Sequence, residues 1–247
     1  MNKLRGLLIA DPLIVLATIC FGTISLIVSF FDNTGTMQIR VARAWAKTLL
    51  RVSGIKVHVE GLENISPAGS YVFIANHSSY MDTPVVLAHV PVQFRFLAKR
   101  GLFQIPFLGQ HLSRAGHIPV PREDPRAAVK TLQKAADTIQ QRHISLLIFP
   151  EGGRSRHGEL RPFKEGGAYI AIRAGVPIVP IALIGTREVL PYGSGSPAPG
   201  NVVLRIMKPI DTADMPLRQR GAVTDHIREL IAPQLQTSEK ANAVAVS

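Results

Sequence analysis

The sequence is poor in cysteine and poor in acid. Cys20 is the only cysteine in 247 residues, so no disulfide can close within the chain and no second thiol is present to share a metal. It lies inside an apolar run, and the sequence has neither a cluster of metal-ligand spacing nor a G-x-S-x-G elbow. Those absences remove the obvious covalent nucleophiles and argue against a metal-dependent hydrolase. Acidic residues number 17 against 28 lysines and arginines, a net charge of +11. Such a chain is drawn to anionic partners: a membrane surface, a phosphorylated substrate or nucleic acid. No internal repeat is evident.

What the sequence does have is a long uncharged run. Residues Pro12 to Phe31 read PLIVLATICFGTISLIVSFF, about the 20 residues that a bilayer-crossing helix requires. The run exceeds a secretory h-region and no A-x-A-like site closes it. Asp32, Asn33 and Gly35 mark a turn. In the stretch that follows, Arg40, Arg43, Lys47 and Arg51 fall on one helical stripe, with Ile39, Trp45, Leu49 and Val52 to the other sides. That pattern suits an interfacial helix with its basic face on lipid headgroups, and equally a soluble amphipathic helix packed on a domain. Residues 1–53 therefore read as a membrane-associated helical hairpin, and the basic cluster beyond the apolar run puts the remainder on the cytoplasmic face of the cell membrane.

From Gly54 the texture changes. IKVHVE (Ile55 to Glu60) alternates, while YVFIA (Tyr71 to Ala75), ISLLIF (Ile144 to Phe149), IVPIALI (Ile178 to Ile184) and VVLRIM (Val202 to Met207) read as strands. Several are apolar without alternation and so buried on both faces. Pro177 and Pro180 make their strand an edge or an irregular one. Asp124 and Pro125 supply an N-cap and first residue for a helix whose apolar face carries Val129, Leu132, Ala136 and Ile139. The fold class is α/β, a mixed central sheet flanked by helices over residues 54–236 and preceded by the two-helix segment. A further helix spans Leu217 to Ile231, and residues 237–247 read as a loose polar tail.

Chemistry gathers where strands end. In NHSSYMD (Asn76 to Asp82), His77 can take a proton from an attacking hydroxyl, and Asp82, at the start of the next helix, can fix its tautomer. The same spacing also suits a loop histidine beside a helix-start carboxylate favoured by the helix dipole. FPEGGRSRHG (Phe149 to Gly158) carries Glu151, two glycines that let backbone approach an oxyanion, and Arg154, whose paired donors suit a phosphate or carboxylate. Taken alone it is also an ordinary turn. A third stretch sets Lys99, Arg100, Arg114 and Arg122 among apolar residues, a mixture that suits a ligand with both phosphate and acyl tail, or a solvated basic face.

Taken in order, NHSSYMD, GHIPVPR, FPEGGRS and VPIVPI resemble the blocks of the glycerolipid acyltransferase family that contains 1-acyl-sn-glycerol-3-phosphate acyltransferase, over roughly Tyr71 to Ile184. The resemblance implies direct transfer of a fatty acyl group from acyl-CoA or acyl carrier protein to the sn-2 hydroxyl of lysophosphatidic acid, with no cofactor, no metal and no acyl-enzyme. It makes His77 the general base and Asp82 its orienting carboxylate. Glu151, Gly152 and Arg154 are then the acceptor site, with Arg122 and Lys99 as further phosphate ligands. Asn76 shapes the turn. Gly153 stands where the family usually has Thr, and Pro119 and Pro121 flank Val120 where it commonly leads into Asp-Arg. These departures bear on which lysolipid is taken, a lyso-ornithine lipid or another lysophospholipid being the alternative. A non-catalytic basic protein on anionic membranes or nucleic acid is the rival of another class. It has no use for a buried strand ending in His-x4-Asp, so the expected partners are lysolipid, acyl donor and anionic membrane, without nucleic acid.

Overall fold

The computed structural model describes residues 10–121 and 123–244. Two antiparallel helices lead, α1 (Asp11–Val28) and α2 (Thr36–Ser53), joined through Gly35, whose φ of 77° starts the second. Then follow β1 (Ile55–Glu60), β2 (Val72–Ala75), α3 (Asp82–His89), β3 (Phe94–Lys99), α4 (Leu108–Arg114), β4 (Ile118–Val120) and α5 (Pro125–Arg142). β5 (Ser145–Ile148), α6 (Gly166–Ala174), β6 (Ile178–Ile184), α7 (Thr186–Val189), β7 (Gly200–Ile206) and α8 (Arg220–Val244) complete the order. Asp124 caps α5 as the sequence implies, its carboxylate accepting from Ala127 N–H at 3.0 Å.

Among the described residues seven strands form one sheet in the order β1-β7-β6-β2-β5-β3-β4. β6, β2, β5, β3 and β4 run parallel, and β7 with β1 runs the other way. The sheet is thus mixed and flanked by helices. Both faces are covered: α2 and α3 close one side over Phe73, Phe94, Leu147 and Leu183, while α5, α6 and α8 close the other over Val72, Ile74, Leu146 and Ile178. This is why β2 and β6 are apolar at every position and β5 at every position but Ser145.

Three features differ from the sequence reading. β6 is central, not an edge strand. Pro180 is tolerated because its carbonyl accepts from Met207 N–H, just beyond the end of β7 at Ile206, so its missing N–H falls where the regular ladder has already stopped. α2 lays Ile39, Ala42, Ala46 and Leu49 on the domain, and Arg43 donates to the carbonyls of Val90 and Val92 at 2.8 and 2.6 Å. One member of the basic stripe is thereby committed to protein, not lipid, and the amphipathic pattern serves packing. α8 continues to Val244, past the point where the sequence reading ends it.

α1 keeps the opposite character. It is 18 residues long with a mean hydropathy of 2.1, and only 6% of it is buried in the fold. Leu16, Ile19, Ile27, Phe30 and Phe31 are exposed. By length and composition it is able to cross a membrane.

The turn that follows β2 depends on Asn76. Backbone pairing of β2 with β6 ends at Ala75 opposite Ile181. Asn76 then supplies the next rung from its side chain, Nδ2 donating to Leu183 O at 2.9 Å and Oδ1 accepting from Leu183 N–H at 2.8 Å. The main chain is free to turn away while the sheet's polar groups stay satisfied. Asn76→Ala strands both Leu183 groups in a buried site and is expected to cost about 2–6 kcal/mol, at about 1–3 kcal/mol per orphaned group, read as a lowered denaturation midpoint.

Candidate active site

The carboxyl ends of the five parallel strands share one edge of the sheet, the usual place for a site in α/β folds. The loop after β2 brings His77 there, the loop after β5 brings Phe149 to Gly158, and the turn after β6 brings Thr186 and Arg187. Lys99, at the end of β3, reaches the same edge and is exposed. Arg122 lies outside the described residues.

His77 and Asp82 meet. Asp82 is wholly buried, and its Oδ2 accepts from His77 Nδ1–H at 2.7 Å and from the backbone N–H groups of Ser78 and Ser79 at 2.8 Å each. An acceptor at Nδ1 puts the neutral imidazole's proton there and leaves the Nε2 lone pair open. The ring is part-exposed and lies flat on Phe149, centroids 4.1 Å apart at 16°. A base of this form can accept a proton from a hydroxyl, and the carboxylate then stabilises the imidazolium produced.

Glu151 departs from the role the family resemblance implies. It is buried, and its two oxygens accept from His77 N–H at 2.7 Å and Arg161 N–H at 3.2 Å. Burial pushes its carboxyl above the ordinary value while the two N–H groups pull the other way. Both oxygens are engaged with backbone, so Glu151 holds the His77 turn and is not presented to a substrate. Gly152 adopts φ of 75° and turns its N–H back to Phe149 O at 3.1 Å. Its contribution is the turn, with no N–H aimed at an oxyanion. Arg154 does stand at the site, because the next residue, Ser155, donates its N–H to His77 O at 3.1 Å.

Several residues at the edge were not singled out from sequence. The Lys164 side chain covers Gly152, Arg161 lies beside Gly153 and Arg187 beside Gly158. Nη1 of Arg187 is buried without a hydrogen-bond partner among the described residues. None of Arg154, Arg161, Lys164 or Arg187 is among the described ion pairs. The Glu159 carboxyl is lowered first by a hydrogen bond from its own backbone and also by Arg187, but a cluster of cations without described ion pairs next to a base is suited to an anionic substrate. Lys164 and Arg187 lie well outside the PEGGRS stretch, so no local spacing marks them. Phe149 adjoins that stretch, and an aromatic at a strand end was the only available signal.

An apolar cavity of about 490 Å³ approaches the pair from the helical hairpin side. Thr18 and Gly22 of α1, Trp45 of α2, Phe107, and Phe96 of β3 are among its walls, and Thr83, next to Asp82, is another. Phe96 stacks toward Phe149 at 6.3 Å, and Phe149 carries the His77 ring. His111 and His117 also border the cavity, with pKa values lowered by burial, His117 well below the ordinary range.

Comparison with known proteins fits this geometry. A family model described as Acyltransferase matches residues 56–184, and the chain belongs to that family of acyltransferases. Among relatives, a chloroplastic 1-acyl-sn-glycerol-3-phosphate acyltransferase of Brassica napus is 37% identical over 172 residues, covering 69% of this chain and 49% of the relative. The chain thus spans about half the length of that relative. A 1-acyl-sn-glycerol-3-phosphate acyltransferase of Limnanthes douglasii is 30% identical over 83% of this chain and 73% of its own. The crystal structure of the 1-acyl-sn-glycerophosphate acyltransferase PlsC of Thermotoga maritima superposes with a TM-score of 0.80 at 26% identity, covering 97% of this chain and 98% of that one.

Two substitutions separate a catalytic pair from a structural turn. His77→Ala is expected to lower acyl transfer by about 10²–10⁴-fold in folded protein. Asp82→Asn keeps the size but loses the charge, so it should also cost at least about tenfold; a mere helix-start residue would accept Asn with little loss. Initial rates with circular dichroism as the folding control decide between them.

Proposed function

We propose that this protein transfers a fatty acyl group from acyl-CoA or acyl carrier protein to the sn-2 hydroxyl of lysophosphatidic acid, giving phosphatidic acid. The observation that carries the reading is the His77–Asp82 pair with Nε2 open, set between an apolar cavity and a cluster of cations. An amphiphile with a phosphate and an acyl chain matches such a site at both ends. The names of the relatives support the same acceptor.

The acceptor's hydroxyl oxygen attacks the thioester carbonyl carbon as its proton passes to His77 Nε2. The tetrahedral intermediate collapses with loss of the thiolate, which takes the proton back from the imidazolium and leaves as thiol. Ester and thiol are the products and the imidazole is regenerated neutral. Asp82 holds the ring throughout, and Phe149 offers its face to the transient imidazolium. Arg154 and its cationic neighbours take the phosphate, with Lys99 on the same edge. The cavity takes an acyl chain, and its uncharged histidines suit that occupant.

α1 anchors the protein in the cell membrane with the site on the cytoplasmic face, where the +11 charge favours anionic lipid. Leu102, Ile105, Phe107 and Leu108 expose apolar surface around the start of α4, which is tied to α1 by the 2.6 Å contact of Ser25 Oγ with His111 Nδ1. The bilayer contact therefore continues from α1 onto the catalytic domain.

Purified protein assayed with lysophosphatidic acid, other lysolipids and both donor types tests the activity. Fastest transfer to lysophosphatidic acid, dependent on His77, is the expected result, and preference for a lysolipid without a phosphomonoester would overturn it. Gly22→Phe fills cavity space in which an added Cβ meets nothing within 4 Å. It should shift preference to shorter acyl chains while leaving short-chain transfer within about twofold, against a loss of roughly 1 kcal/mol for each displaced methylene. For the membrane, Leu16→Lys with Ile19→Lys places two charges on the exposed face of α1, each costing about 2.5–3.5 kcal/mol at a bilayer centre. Co-sedimentation with vesicles should fall sharply; unchanged binding would show that the domain's own apolar surface suffices.

A further inference from the structure

Two exposed tyrosines have no part in the chemistry above, yet both lie against Arg154. Its guanidinium carbon is 3.4 Å from the ring centre of Tyr80 and 4.6 Å from that of Tyr192. Tyr80 is 64% exposed and Tyr192 40%, so burial does not explain where the rings sit. Their loops are instead pinned to one another. Ser79 Oγ–H donates to Leu190 O at 2.8 Å, and Ser78 Oγ lies 3.1 Å from Thr186 Oγ1. Ser155 N–H donates to His77 O at 3.1 Å. Tyr80 follows Ser79, Tyr192 is two residues past Leu190, and Arg154 precedes Ser155, so each partner sits within two residues of a cross-link.

An aromatic ring on the face of a guanidinium leaves the N–H donors free, because they radiate in the plane of the group. Arg154 has no hydrogen bond or ion pair to another described residue, so its donor edge is open. A free arginine would lose considerable rotamer entropy on gripping a ligand with both prongs. One held against two rings whose loops are pinned together has lost part of it beforehand.

We propose that Tyr80 and Tyr192 are positioning residues, an aromatic clamp that presents the donors of Arg154 to the phosphomonoester of the acceptor. The inference rests on the acceptor reading given above. The clamp acts on acceptor binding and not on the donor thioester; Tyr80 acts through Arg154, while Tyr192 also faces Arg156 at 5.7 Å. The rings supply π faces and no required hydroxyl, so phenylalanine serves in their place.

A double-mutant cycle on the full chain tests this, with KM for lysophosphatidic acid, KM for the acyl donor and kcat measured for each variant. Tyr80→Leu and Tyr192→Leu should each raise the acceptor KM about three- to tenfold, with donor KM and kcat within about twofold. Tyr80→Phe should restore the wild-type acceptor KM to within about twofold. In an Arg154→Ala background, Tyr80→Leu should add nothing further, since the group it orients is gone. Effects that add independently of Arg154, that fall equally on donor and acceptor, or that Phe fails to rescue would overturn the clamp. Absence of transfer to lysophosphatidic acid by the wild-type protein would instead remove the acceptor reading itself, so the two failures are distinguishable.

Discussion

The site depends on one carboxylate oxygen. Oδ2 of Asp82 gathers the Nδ1–H of His77 and the backbone N–H groups of Ser78 and Ser79. The same contacts therefore fold the turn, orient the ring and set its tautomer. A carboxylate taken wholly out of water is costly unless charge-assisted hydrogen bonds replace its hydration, and three donors on one oxygen do much of that. Its other oxygen, Oδ1, is buried without a hydrogen-bond partner among the described residues. An unsatisfied acceptor of this kind is a stability cost carried where geometry is needed.

Around that contact the fold divides its two faces. On one side of the sheet α1, α2 and α3 bring the apolar exposure and the cavity; on the other α5, α6 and α8 close an ordinary core. The carboxyl edge between them carries the polar chemistry. The cavity under the hairpin reaches Thr83, next to Asp82, and the cations gather around the loop that Ser155 ties to His77, so apolar and cationic surroundings border this one edge. The His77 ring marks the seam, with Phe149 and Phe96 leading toward the cavity and Ser155 leading to Arg154.

Glu151 and Gly152 illustrate how local and tertiary roles diverge. A short sequence block with an acid, glycines and an arginine reads as a ligand loop. In the fold the acid faces inward, bracing the turns at His77 and Arg161 from below, and only the arginine remains outside. Motif membership shows that these residues work together, without showing which of them touches substrate.

The sequence by itself determined the α/β class, the long apolar helix and the cap at Asp124, because each is written in neighbours or in a short period, apolar runs and an Asp-Pro step; its five-residue spacing allowed the His77–Asp82 pairing without requiring it. It did not determine that β6 is central, that α2 packs on protein, or that Lys164, Arg187, Tyr80 and Tyr192 share a site. Strand order is a matter of which chain segments pair across the sheet, and an amphipathic face is the same whether it meets lipid or a core. Tyr80, Arg154 and Tyr192 are brought together only by the adjacency of β2, β5 and β6 and by the Ser79–Leu190 and Ser155–His77 hydrogen bonds between their loops. Contacts between segments that distant in sequence leave no periodic trace in it, and so only the tertiary structure decided them.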